Sequence, residues 1–98
     1  MSYLEELRDV VVRLHGADAT HVKSVRVKEQ HQGKTVWDGV VEVFDLTGHP
    51  KTHRVYAWAH DDSGNMRHVT VLHIPPVVSP ETAVRAAIIQ EFRDNAQA

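Results

Sequence analysis

At 98 residues the chain is long enough for one domain, residues 1–98, that buries its own core and needs no disulfide or metal to fold. It has no cysteine, which excludes thiol nucleophiles, disulfide frameworks and cysteine-based zinc sites. Its formal net charge of −2 argues against a protein that grips nucleic acid through phosphate, because that requires a surplus of Lys and Arg.

The first predicted element is a helix from about Tyr3 to His15. Ser2 followed by Glu5 has the spacing of a capping box, and apolar residues then recur at helical spacing until Gly16. The segment is acidic and amphipathic, without a basic region or a long apolar run. We therefore expect no signal peptide, no membrane association and a cytoplasmic location.

Four strands are predicted after this helix. Alternating apolar residues separated by turn residues place the strands at about residues 20–30, 36–46, 52–60 and 67–74. Pro75 and Pro76 cannot continue a ladder of hydrogen bonds, so the sheet is expected to end before them.

A second helix is predicted by a strong start signal. Ser79 offers a capping hydroxyl, Pro80 suits the first helical position, and Glu81 favours the positive first turn. The helix is expected to run to about residue 94. Its predicted buried stripe consists of Val84, Ala87, Ile88 and Phe92.

The order of these elements predicts an α+β domain. Short connections favour a two-layer sandwich, in which a four-stranded antiparallel meander carries the N- and C-terminal helices on one face (α-β-β-β-β-α). Matching of side chains sets Val43 opposite Val55, and Ala57 opposite Val71. In this register Val and Ala lie beneath both helices, and Gly39 makes room for a neighbouring tryptophan ring.

The other sheet face would then have the composition of a contact surface. Aromatic side chains mixed with Arg dominate protein interfaces, and a large apolar area left in water usually marks such a surface. The predicted interface residues are Arg26, Val40, Glu42, Phe44, Arg54, Tyr56, Trp58 and Leu72. We expect a homodimer through this face and a non-enzymatic interaction or assembly module. The alternative is that long Arg and Lys stems cover the rings within a monomer.

Small-molecule binding or catalysis is the first alternative function. It would use a cleft on the outer face, with an unknown ligand, and the lining would be Trp37, Asp38, Tyr56, Trp58 and His60. Here His60 and Asp38 are the candidate acid–base pair, because the predicted register sets them opposite each other. The pair comes without a nucleophile or an oxyanion donor, so no catalytic residue is predicted.

Metal binding has one weak candidate. His60 and His68 are expected to be cross-strand neighbours near a hairpin end, where their imidazoles would hold a divalent metal. Nothing in the chain fixes a third ligand. No metal and no cofactor is therefore predicted.

RNA binding is the second alternative. The order of elements resembles an elaborated double-stranded-RNA-binding domain, and Ser79–Ala87 aligns loosely with the start of that family's second helix. Where the family carries a lysine cluster that grips phosphate, this chain has Pro80, Glu81 and Val84. Nucleic acid is therefore disfavoured as a partner.

A further resemblance covers most of the chain. The run Thr35–Pro50, continued by Tyr56–Trp58 and His73–Pro76, is similar to a group of small uncharacterised bacterial proteins. The resemblance implies a stand-alone bacterial protein. It brings no activity, cofactor or catalytic residue with it.

Overall fold

The fold has the predicted order of elements. A computed structural model describes residues 2–97, with the side chains of all of these except residues 62 and 95–97. The elements are α1 (Tyr3–His15), β1 (Asp18–His31), β2 (Lys34–Thr47), β3 (Arg54–Asp62), β4 (Asn65–Leu72) and α2 (Pro80–Gln97). The strands form one antiparallel sheet in the order β1-β2-β3-β4. The α+β fold and its element order are therefore confirmed.

Both helices begin at the residues whose side chains can cap them. Ser2 Oγ accepts a hydrogen bond from the backbone N–H of Glu5 at 3.2 Å, and Ser79 Oγ accepts one from Thr82 at 3.2 Å. Gly16 ends α1 in the left-handed conformation, with φ of 63°. In the described part of the chain, neither helix is both long enough and apolar enough to cross a membrane.

The sheet consists of two long hairpins joined over a short distance. β1 and β2 pair along almost their whole length, as do β3 and β4. β2 and β3 are linked by only four residue pairs, from Glu42 with Ala57 to Asp45 with Arg54. Beyond Glu42 the two hairpins separate.

The predicted register of β3 is wrong by one residue. Val43 pairs with Tyr56 rather than with Val55, and Val71 also pairs with Tyr56 rather than with Ala57. Because successive side chains of a strand point to opposite faces, this slip moves every side chain of β3 to the other face relative to its neighbours. The pairing of β1 with β2 follows the prediction, with Val25 opposite Val41 in the structure.

The two helices consequently lie on opposite faces, so the domain has three layers instead of the predicted two. The core beneath α1 contains Leu7, Val11, Ala17, Ala19, Phe44, Leu46, Val55 and Ala57. The core beneath α2 contains Val27, Val41, Val43, Tyr56, Trp58, Val77, Ala83 and Val84. The prediction that both helices share one face is therefore wrong. β3 is apolar on both faces, and each face is covered by its own helix.

Gly39 lies beneath the indole of Trp37. A Cβ added to this glycine would lie 3.0 Å from Cη2 of the ring, which is tighter than ordinary packing. The expectation that Gly39 makes room for a tryptophan ring is confirmed.

Candidate functional site

The eight predicted interface residues do not form one exposed face. Four of them are buried within the two cores, at 5% exposure or less: Glu42, Phe44, Tyr56 and Trp58. Arg54 and Leu72 are half-buried, and Arg26 and Val40 are exposed. The predicted aromatic face is therefore wrong in its placement, because a helix covers each side of β3 and the rings form part of the cores.

The histidine pairs considered from the sequence are separated by the sheet. His60 lies on the α2 side, whereas His68 faces α1, with 3.4 Å between its Nε2 and Glu6 Oε1. Asp38 lies on the α1 side and accepts a hydrogen bond from Arg26 at 2.9 Å. Neither the metal pair nor the acid–base pair forms. Among the side chains that the structure describes, no three His, Asp or Glu residues converge in a metal-binding arrangement.

Glu42 is the one charged side chain that is buried within the described part of the chain. Its Oε1 accepts hydrogen bonds from His21 Nε2 at 2.9 Å and from the hydroxyl of Ser24. His21 and Ser24 both bind this oxygen, so the carboxylate is satisfied by two donors. The geometry differs from that of an activated serine, in which the histidine accepts the hydroxyl proton directly.

Tyr56 also has a polar partner inside the fold. Its hydroxyl lies 2.6 Å from His73 Nδ1. Burial raises the pKa of Tyr56 above its ordinary value, and nearby Arg54 opposes this shift more weakly. The hydrogen bond between the phenol and His73 ties β3 to the segment leading into α2.

A cleft opens where the two hairpins separate, between β3, β4 and one side of α2. We call it the indole cleft, and it has a volume of about 520 Å³. Trp37 and Trp58 line it, and their rings meet edge to face with centroids 5.5 Å apart. Its polar lining residues are His60, Arg67, Thr70, Gln90, Glu91 and Asp94. Three of the five residues predicted for an aromatic cleft lie here, whereas Tyr56 and Asp38 do not.

A second hollow lies on the other side of α2, against the tips of β1 and β2. We call it the α2 groove, and it measures about 740 Å³. Its apolar lining residues are Val36, Ile88, Ile89 and Phe92, and Arg85 and Arg93 lie beside them. Phe92 is 74% exposed, Ile89 52% and Val36 50%. These three apolar residues line the same hollow and are exposed to water.

The exposure of Phe92 corrects the predicted buried stripe of α2. Val84 is buried, and Ala87 and Ile88 are half-buried, as expected for core contacts. Every described side chain of α2 after Ile88 is exposed. The helix thus continues beyond the part that packs on the sheet, and it carries Ile89 and Phe92 into solvent.

A comparison of the chain with protein-family models, with curated proteins and with solved structures finds no match. The resemblance to small bacterial proteins therefore stays a prediction. The two hollows that flank α2 are the candidate contact sites of the described part of the chain.

Proposed function

We propose that the protein is a non-enzymatic interaction module of the bacterial cytoplasm that self-associates through the α2 groove. The exposure of Phe92 beside Ile89 and Val36 is the observation that carries this proposal. Leaving apolar area in water costs about 25 cal/mol per Å², so contiguous surfaces of this kind usually mark contact sites. The combination of a phenylalanine ring with Arg85 and Arg93 is also typical of protein interfaces.

The shape of the α2 groove favours a second copy of the chain as the binding partner. Phe92 projects from α2 directly beside a hollow walled by Val36 and Ile89. In a two-fold interface the same surface meets itself, so each copy can insert its ring and receive the ring of its partner. Such an interface closes on itself and yields a dimer.

The charges around the α2 groove are compatible with this pairing. Arg85 binds Glu29, with 2.7 Å between Nε and Oε1, and Glu29 is largely withdrawn from solvent. This rim of the groove is therefore neutralised within each copy. Arg93 is exposed, where water can screen it from the same residue of a second copy.

The proposal predicts that Phe92→Ser weakens self-association. Truncation of a central aromatic side chain in an interface typically costs about 2 kcal/mol, which is roughly a thirtyfold rise in the dissociation constant. Sedimentation equilibrium over a concentration series measures this constant. Met66→Ser is the matched control, because Met66 is 60% exposed but lies near the start of β4, outside the groove.

Two results would overturn the proposal. One is a wild-type protein that is still monomeric at about 1 mM. Its dimer would then have a dissociation constant above about 1 mM, which corresponds to less than about 4 kcal/mol of binding free energy. The other is a dimer that Phe92→Ser and Met66→Ser weaken equally. Saturable binding of an acidic amphipathic peptide to a monomeric chain would instead assign the groove to a different partner.

A further inference from the structure

The indole cleft is a second concave site, on the opposite side of α2 from the α2 groove. Its volume of about 520 Å³ lies within the range of roughly 300–1,000 Å³ that is typical of small-molecule sites. The proposed self-association makes no use of it. Its lining combines aromatic and aliphatic side chains with two carboxylates, and it also contains Arg67 and His60. This chemistry defines the class of ligand.

The aromatic part of the cleft is held rigidly. Trp37 is half-buried and contacts Trp58 at an interplanar angle of 72°, while Gly39 supports the ring from below. Trp58 is only 3% exposed, so it fixes the neighbouring ring more than it offers surface of its own. Trp37 lines the cleft and is only half-buried, so part of a positioned indole is open to a ligand there. Indole rings attract cations through the ring quadrupole.

The charged part of the cleft lies on α2. Glu91 and Asp94 are three residues apart, which places both carboxylates on one side of the helix and at the same cleft. Two carboxylates, from Glu91 and Asp94, line the cleft against one guanidinium, from Arg67. Together these three groups carry one net negative charge. This charge disfavours an anionic ligand and favours a cation.

We propose that the indole cleft binds a small organic cation, in which a protonated or quaternary amine is attached to an apolar body. The amine lies between the carboxylates of Glu91 and Asp94 and the face of Trp37. The apolar body packs on the aliphatic lining residues Val69, Val71, Ala87 and Ile88.

The first experiment titrates the wild-type chain with three probes that share a phenyl ring on a two-carbon chain and differ in charge. Phenethylammonium is the cation, 2-phenylethanol is the neutral analogue and 3-phenylpropionate is the anion. The indole N–H resonances of Trp37 and Trp58 report binding, because these are the only two tryptophans of the chain. We expect a saturable shift with the cation, at least about tenfold tighter than with the neutral probe. The anion should produce no saturable shift.

Two double variants that remove the same charge at different places test which carboxylates bind the cation. Glu91→Gln with Asp94→Asn removes both carboxylates from the cleft and should weaken binding of the cation by about tenfold or more. Glu5→Gln with Asp9→Asn changes the net charge equally on the exposed face of α1 and should leave affinity within about twofold. Gly39→Ala should also weaken binding, because the added Cβ displaces Trp37 while the backbone pairing is kept.

Three results would overturn the proposal. The first is the absence of any saturable shift with the cation. The second is equal affinity for the neutral probe and the cation. The third is an equal loss of affinity in the α1 and α2 charge variants, which would indicate a general electrostatic effect of the whole surface. The dimer is measured separately, by sedimentation equilibrium, and Ile88 is the one lining residue that the two hollows share. A failure of the cation titration is therefore distinguishable from a failure of self-association.

Discussion

His15, the last residue of α1, joins the end of this helix to β4. Its Nε2 lies 2.9 Å from Thr70 Oγ1, and its ring meets that of His49 edge to face at 6.2 Å. Burial lowers the pKa of His15 below its ordinary value, and the neighbouring His49 lowers it further. The folded state therefore holds this imidazole neutral over a range of pH in which the unfolded chain already protonates it.

This shift predicts a loss of stability in mild acid that depends on His15. Below about pH 6.5 the unfolded chain binds a proton that the folded chain resists, so the free energy of unfolding decreases as pH falls. The effect should stay well below about 1.4 kcal/mol per pH unit, because the ring is partly solvated. In urea melts from pH 7 to pH 5, His15→Gln should lose less stability than wild type. The exposed His31→Gln is the control, and parallel curves for His15→Gln and wild type would contradict the prediction.

At the scale of elements, α1 contributes to the stability of the fold mainly through one face. Leu7 and Val11 are fully buried beneath the helix, whereas Leu14 is 59% exposed at its end. Leu7 contacts the core formed by Phe44 and Val55, so its side chain is enclosed on all sides. The stability of the α1 layer should therefore depend strongly on position along the helix.

Two leucine truncations in α1 test this dependence. Leu7→Ala should reduce the free energy of unfolding by about 2–5 kcal/mol, the range for a leucine lost from a packed core. Leu14→Ala should change it by less than about 0.5 kcal/mol, as for an exposed site. Chemical denaturation followed by circular dichroism measures both values. Similar losses for the two variants would contradict the described packing of α1.

At the scale of the whole molecule, the sheet separates two cores. Leu7 belongs to the core beneath α1 and Val84 to the core beneath α2, so no cluster contains both. If both helices covered one face, these side chains would be part of a single core and would share contacts. The three-layer arrangement thus has an energetic consequence.

The consequence is additivity of core truncations. Val84→Ala should cost about 2 kcal/mol, and the double variant with Leu7→Ala should lose the sum of the two single losses within about 0.5 kcal/mol. A coupling energy above about 1 kcal/mol would contradict the separation of the cores. If the double variant is too unstable to measure, Val11→Ala in place of Leu7→Ala tests the same separation.

The sequence by itself determined the local features of this protein. The capping residues Ser2 and Ser79, the stop at Gly16 and the register of the first hairpin all follow from interactions within or between neighbouring segments. The role of Gly39 also follows, because a residue without a side chain between bulky neighbours indicates close packing of a ring.

Only the tertiary structure decided the parity of β3 and the faces of the helices. Val55 and Ala57 on one side of the strand, and Tyr56 and Trp58 on the other, are all apolar, so alternation cannot tell which set faces which helix. The sequence also does not show at which residue of α2 the burial against the sheet ends. The helical pattern continues through Phe92, and only the position of the helix on the sheet shows that burial ceases after Ile88. The buried aromatic residues and the two hollows beside α2 both result from this arrangement of layers.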